Sequence, residues 1–311
     1  MYLIIIICSC LITLTLLSIC AKKIHELQAS VLSYGKLNLH NNRKPITSWA
    51  QTLSTLKIPK HYFNHFYVIG LFTALESILE ITLWLYFKRS FILIRLLQRY
   101  DVNMGSDHVS REQIWIGLVM MTCHLIRRVY ESFWIERPSK TATMHLSHYF
   151  IGVGFYGGMV LGTWLEGAAQ LGLWGEEDSR RGRDEQKQSL HVLTLLIAFG
   201  LFLYASYHQS RCHKILASLR KQDREVYSIP RGDWFEFIVA PHYFADILIY
   251  LSLNILYHFQ NYIFICGLIW TIVNLSITAN ETQSWYYHHF SREKYHQAFP
   301  HGRYRIIPGC Y

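Results

Sequence analysis

Tyr227-Ser-Ile-Pro-Arg-Gly-Asp-Trp-Phe-Glu-Phe-Ile-Val-Ala-Pro-His-Tyr-Phe-Ala-Asp246 is a polar, aromatic, turn-rich cassette that runs without interruption into an apolar helical segment. A segment that only had to span a bilayer would gain nothing from His242 and Asp246 at its start. Ionisable side chains are expensive in lipid and face a polar interior or a site. The cassette therefore points to chemistry at a membrane interface.

The rest of the chain agrees. Of 311 residues, 51% are hydrophobic and only 16% charged, where a soluble domain carries about a quarter charged residues. Mean hydropathy is +0.13. Aromatics reach 15%, which suits rings seated at headgroup level. The length fits one helical bundle. The net charge of +9 comes from basic residues between apolar segments, not from one solvated stripe. It signals membrane orientation and anionic lipid, and no nucleic-acid partner is expected. The seven cysteines include no Cys-x-x-Cys pair. Several lie in apolar runs as small hydrophobes, so neither a disulfide framework nor a metal site is expected.

Seven apolar segments can be drawn, near 2–20, 66–87, 114–126 (extending toward Ile135), 148–173, 189–207, 237–257 and 261–279. Each is compatible with a helix across the hydrocarbon core. The fold class is all-α: a polytopic membrane protein with about seven transmembrane helices in one bundle. The first segment lacks a basic leader and is followed by Lys22-Lys23, which favours a retained span over a cleaved signal. With the N-terminus outside, most of the 30 Lys and Arg fall in 22–64, 127–144, 208–236 and 281–311. That bias puts the cassette and the C-terminal tail in the cytosol, although the 88–113 loop is more basic than the rule prefers. Asn41-Asn-Arg-Lys-Pro45 reads as a linker, and the mixed-charge run 175–185 as a solvated connector.

Several motifs have plain readings. Gly152-Val-Gly-Phe-Tyr-Gly157 matches a dinucleotide fingerprint but lies inside an apolar span, where small residues serve helix packing. His61 and His65, His145 and His148, and His288-His289 invite a histidine-box di-iron site. No His-x-x-His-His occurs, and no carboxylates stand beside the pairs. Glu76 and Glu80, one turn apart in the second span, are functional candidates with no partner identifiable from sequence. Three clusters share the expected cytosolic side: His124 to Glu131, His208 to Arg220, and the cassette. Arginine is a good bidentate phosphate ligand, and Gln, His and Asp can fix an amide or ribose. Converging from three helices, they suggest a pocket for a large phosphorylated cofactor.

These clusters resemble the steroid 5α-reductase family, and more closely its polyprenol (polyprenal) reductase branch. The resemblance runs from about Pro59 onward. It is carried by Pro59-Lys-His-Tyr-Phe-Asn-His-Phe-Tyr-Val68, His124 to Glu131, Cys212-His-Lys-Ile-Leu-Ala-Ser-Leu-Arg220, Ile229-Pro-Arg-Gly-Asp-Trp-Phe-Glu236, Pro241 to Asp246, Trp285-Tyr286 and Arg305-Ile-Ile-Pro308. It implies an N-terminal helix and cytosolic linker over 1–64 and a catalytic membrane domain over 65–311, in the endoplasmic reticulum membrane. It implies NADPH bound from the cytosolic side, with Arg128, Gln209, His213, Arg220, Tyr227, His242, Asp246 and Tyr286 at cofactor positions. Steroid-type members carry a Gln-Glu pair where this chain has His65-Phe66, and a ketone-binding Tyr where it has Leu125. Both departures weaken a steroid substrate.

The implied chemistry is hydride transfer to the β carbon of an α,β-unsaturated polyprenal and protonation of the α carbon, giving dolichal for dolichol synthesis and N-glycosylation. His65, His124 and Tyr130 are the expected donors to the carbonyl oxygen. The substrate is a long-chain isoprenoid lipid lying along apolar helix faces. A 3-oxosteroid reductase and a trans-enoyl reductase are alternatives within the fold. A histidine-box oxygenase and a non-enzymatic scaffold are alternatives outside it.

Overall fold

The structure is a computed structural model that describes residues 2–24, 27, 47–100, 108–137, 142–173, 192–220 and 228–309. The linker at 41–45, the connector at 175–185 and Tyr227 lie outside the described residues.

Helix α1 covers Tyr2–Lys23 and ends on its two lysines. A short helix α2, Ser48–Thr55, leads to strand β1, Lys57–Pro59, and a tight turn Lys60–Phe63. Helix α3 runs Asn64–Phe87 and stops where Lys88 turns left-handed. Amphipathic α4, Ile92–Tyr100, follows. Helix α5, Arg111–Tyr130, opens with a reciprocal Ser110–Gln113 capping box, which satisfies two otherwise orphaned N–H groups. It continues as a π-helical turn, Glu131–Ile135. Strand β2, Thr143–His145, pairs antiparallel with β1. Then come α6 (Leu146–Gly162), α7 (Val192–Ser218), α8 (Pro241–Leu256), α9 (Tyr262–Phe290) and α10 (Arg292–Ala298).

Among the described residues, four helical stretches are long and apolar enough to cross a membrane: α1, Lys60–Phe87, α7 and α9. Among the described residues the architecture is mostly helical, with the two-stranded β1–β2 pair beside the helices, and four of the seven expected spans have that length and apolar character. The seven segments differ in extent: α6 ends at Gly162, well short of 173, whereas α7 and α9 extend beyond their apolar cores to Ser218 and Phe290. Helices α5, α6 and α8, at 20, 17 and 16 residues, are shorter or more polar. Outward faces carry residues such as Phe72, Tyr86 and Leu193, the surface expected of helices that meet lipid.

Helix α3 packs on α5 and α6, α8 on α7 and α9, and α1 on α9. Gly152 lets the Phe66 ring sit against the α6 backbone, where a Cβ would collide with it. That makes the first glycine of the Gly152–Gly157 run a packing residue, while a Cβ added at Gly154 or Gly157 would meet nothing within 4 Å. The intramembrane carboxylate Glu80 accepts from the backbone N–H of Leu93 (2.8 Å) and Ile94 (2.7 Å), capping α4. Glu166 does the same for α9 through Tyr262 and Ile263. Carboxylates at helix N-termini satisfy orphan donors and complement the dipole. Glu80, a functional candidate on sequence, is thus an architectural cap, and Glu76 lies one turn away beside it.

Candidate active site

At the end of the bundle opposite those caps, the last turn of α5 presents Arg127, Arg128 and Glu131 to α3, α7 and α8. Buried Arg128 donates to Tyr67 Oη (2.6 Å), to Glu131 (2.6 Å) and to Glu136 (2.9 Å). Arg127 donates to Glu131 (2.8 Å), to Gln209 Oε1 and to His124 Nδ1 (3.2 Å). From α7, Gln209 Nε2 donates to Asp246 Oδ1 on α8 (2.9 Å). His213 Nδ1 lies 2.7 Å from both Glu131 and Arg128. One ring nitrogen cannot serve both: either its lone pair accepts from Arg128 or its N–H donates to Glu131. Four helices are thereby joined by one polar network. The spacing Gln209–His213 sets both on one face of α7, and Asp246 follows His242 by one turn on α8.

The tandem arginines also fix where protons sit. Because Arg127 only donates, His124 Nδ1 accepts and the ring proton is on Nε2, which is buried without a hydrogen-bond partner. By the same logic, Tyr67 Oη accepts from Arg128 and keeps its own proton for another acceptor. The Arg128 guanidinium also lies 4.5 Å over the Tyr67 ring, a cation–π contact that holds the phenol in place. Tyr156 packs edge-on against Tyr67 with centroids 5.0 Å apart, and Tyr250, 6.4 Å from the His124 ring, has a buried hydroxyl without a hydrogen-bond partner. These buried aromatic and imidazole groups are therefore donor-rich in apolar surroundings, suited to a developing oxyanion.

Beyond α5, burial alone would raise Glu136, yet the charges of Arg128 and His213 hold its carboxyl below the usual carboxylate range. Donor atoms of Glu131, Glu136 and His213 lie within 4.8 Å of one another, the one such group among the described residues. Arg128 already donates into both carboxylates, so a cation fills that place. The histidine pairs do not gather with carboxylates: His65 bonds Tyr149 (3.1 Å), and His145 bonds Leu53 O and Ser147.

The cassette docks on α7 through His208, which stacks on Trp234 at 4.3 Å and pairs with Asp233 at 2.7 Å. The C-terminal tail covers it, with Val239 N–H donating to Tyr304 O (2.8 Å). Under the tail lies a second small core of Val239, Trp285, Tyr286, Tyr295 and Phe299. Arg303 is buried there over Phe299, donating to Tyr295 Oη (2.8 Å) and Phe235 O (3.0 Å). Its Nη2 has no hydrogen-bond partner, and among the described residues no carboxylate pairs with it. A buried guanidinium with a donor to spare can receive an anion.

Of the expected site residues, His124, Arg128, Gln209, His213 and Asp246 meet in one network, with the His242 ring 5.7 Å from His213. Tyr286 lies in the second core. Arg220 is exposed and donates to Arg137 O (2.6 Å). His65 faces outward, stacked on Tyr62 at 5.0 Å, and Tyr130 is exposed against Trp134 at 5.6 Å, so the fold brings neither to the network. Tyr67, Glu136, Tyr250 and Arg303 were missed. Tyr67 stands only two residues from His65, but two residues turn a helix by about 200°, enough to exchange the faces.

A family model described as 3-oxo-5-alpha-steroid 4-dehydrogenase matches residues 142–311. Polyprenal reductase 2 of Arabidopsis thaliana is 29% identical over 341 residues, covering 97% of this chain and 94% of that protein. Polyprenal reductase of Homo sapiens is 27% identical over 291 residues, covering 89% and 84%. Polyprenal reductase of Saccharomyces cerevisiae is 28% identical over 259 residues, covering 83% and 79%.

Proposed function

The chain belongs to the 3-oxo-5-alpha-steroid 4-dehydrogenase family, in its polyprenal reductase branch, and is an oxidoreductase acting on a CH–CH bond; from that premise we propose that it reduces the α,β double bond of a long-chain polyprenal to dolichal. NADPH, when bound, supplies the hydride for the β carbon. The reaction serves dolichol synthesis and N-glycosylation at the endoplasmic reticulum membrane, in a bundle of about seven spans whose network faces the cytosol.

The observation that carries this reading is the pair of donors set by the tandem arginines. Tyr67 Oη–H and His124 Nε2–H are buried, and the acceptor atom of each is occupied by a guanidinium. As electron density moves onto the aldehyde oxygen, these donors hold it with no solvent to reorganise. Arg128 strengthens Tyr67 as a donor because its positive charge stabilises the phenol's developing negative charge. Tyr67, His124 and Tyr250 replace the expected trio of His65, His124 and Tyr130 on the oxygen side.

Asp246, oriented by Gln209, and His242 fit an amide and ribose. His213 and Arg128 lie beside them. The Nη2 of Arg303 fits a phosphate oxygen, with Tyr286 beneath it and Arg220 nearby; Tyr227 is proposed at a cofactor position on the family resemblance alone. The isoprenoid tail lies against exposed apolar helix faces.

Membranes containing the protein, supplied with NADPH, should reduce polyprenal in preference to a 3-oxo-4-ene steroid or an enoyl thioester. Cells lacking it should show a raised polyprenol-to-dolichol ratio. An unchanged ratio would sink the reading.

A further inference from the structure

We propose that Cys8 and Cys266 form a reversible disulfide that ties α1 to α9 at the end of the bundle remote from the Arg128 network. Helix α1 packs along α9, and Ile7, next to Cys8, reaches Gly158 of α6 while Gly267, next to Cys266, packs on the adjoining Met159, which sets the two cysteines at one level of the bundle. Both are partly buried, whereas Cys10, Cys20 and Cys123 are exposed and Cys212 is buried within the site end. Cys266 stands one turn inside the Asn261 cap of α9, in the end region where Glu166 also caps that helix. The network gathers at the C-terminal end of α5 and the N-terminal end of α8, so the pair lies at the opposite pole.

Mechanically, the link matters because α1 is weakly held. Only Leu11 and Thr15 of its 22 residues are buried, while Leu3, Ile4 and Ile7 lean on the core beside Cys8. A covalent tie removes the freedom of α1 to leave the bundle, and a link between positions this far apart in sequence constrains a large loop of the unfolded chain. The chemistry is balanced by a disulfide oxidant such as oxidised glutathione. Two S–H bonds break and one S–S bond forms, and the oxidant's S–S bond takes up the two electrons and two protons. If the network faces the cytosol, the thiols face the opposite, oxidising compartment, where such bonds persist. The link itself can be detected whatever the substrate.

The test uses the full chain in microsomal membranes. The membranes are treated with oxidised glutathione, free thiols are blocked with N-ethylmaleimide, and digested protein is analysed by mass spectrometry without reductant. The expected result is a linked peptide pair containing Cys8 and Cys266, two hydrogens lighter than its parts. It should disappear with dithiothreitol and in Cys8→Ser or Cys266→Ser, while reductase activity stays within about twofold. Complete alkylation of both wild-type cysteines would overturn the proposal. So would pairing of Cys8 with Cys10, or linkage between two chains. The wild-type readout stands even if a variant fails to fold.

Discussion

The two poles of this bundle both bury charge, and they treat it in opposite ways. At the cap pole, Glu80 and Glu166 each give both oxygens to backbone N–H groups at the start of a helix. At the network pole, Arg127, Arg128, Glu131, His213, Gln209 and Asp246 bond mainly to one another, and donors on Tyr67, His124 and Arg303 remain unused. Orphan polar atoms alone do not mark a site, since Trp164 Nε1 and Asn254 Oδ1 are orphans toward the cap pole. What separates the poles is a concentration of ionisable groups whose bonding capacity is left over.

Removing the centre of the network tests that contrast most severely. Arg128→Met leaves Glu131 and Glu136 facing each other with one guanidinium gone, and uncompensated buried charge costs about 3–5 kcal/mol. Reductase activity should fall below detection in membranes, and the purified protein should unfold at lower temperature. Arg128→Lys, with the charge but not the fork, should recover part of the stability and little of the activity. Near-wild-type turnover in the methionine variant would remove the network from the chemistry.

Tyr67→Phe separates function from stability. It removes a single oxygen, so turnover should drop roughly 100-fold while thermal stability changes little. The matching control, His65→Ala, should lie within a few-fold of wild type. If the histidine variant is the crippled one, the oxygen-side donors are wrongly assigned.

The control pair shows how far the sequence was readable. Gln209, His213, His242 and Asp246 could be singled out as candidates because each sits in a motif with helical spacing and charged neighbours, and the fold brings them together. Tyr67 carries no such signal: it is one aromatic in a run of aromatics, and only the start of α3 at Asn64 sets which of them face inward. Glu80 misled for a related reason. Its partners are the amides of Leu93 and Ile94, and a backbone N–H leaves no trace in side-chain identity. Glu136 and Arg303 lie in connecting and terminal segments, whose contacts depend on how the tail folds back over the cassette. The helices themselves, by contrast, followed from apolar runs that needed no partner to be recognised.

At the cap pole the expectation reverses. Glu166→Ala strips the acceptor from the buried N–H of Ile263 and the part-buried N–H of Tyr262, at about 1–3 kcal/mol. Unfolding temperature should drop, while turnover per folded molecule should remain near wild type. A loss of turnover in the folded fraction would mean the caps couple to the site, and the two poles would not be independent.

The smallest effect comes from acid. Burial pushes the Glu136 carboxyl upward, but Arg128 and His213 outweigh it, so the folded value lies below the ordinary 4.5. A depressed carboxylate stabilises the fold above its unfolded value and loses that contribution as pH falls through the folded one. Wild type should therefore be more stable than Glu136→Gln at neutral pH, and the two melting curves should converge below about pH 4.5. With a partly exposed side chain, screening keeps the gap small. A gap that widens in acid would mean Glu136 is held protonated, which would make Arg128 the partner of Glu131 alone and place the centre of the network one carboxylate deeper in the bundle.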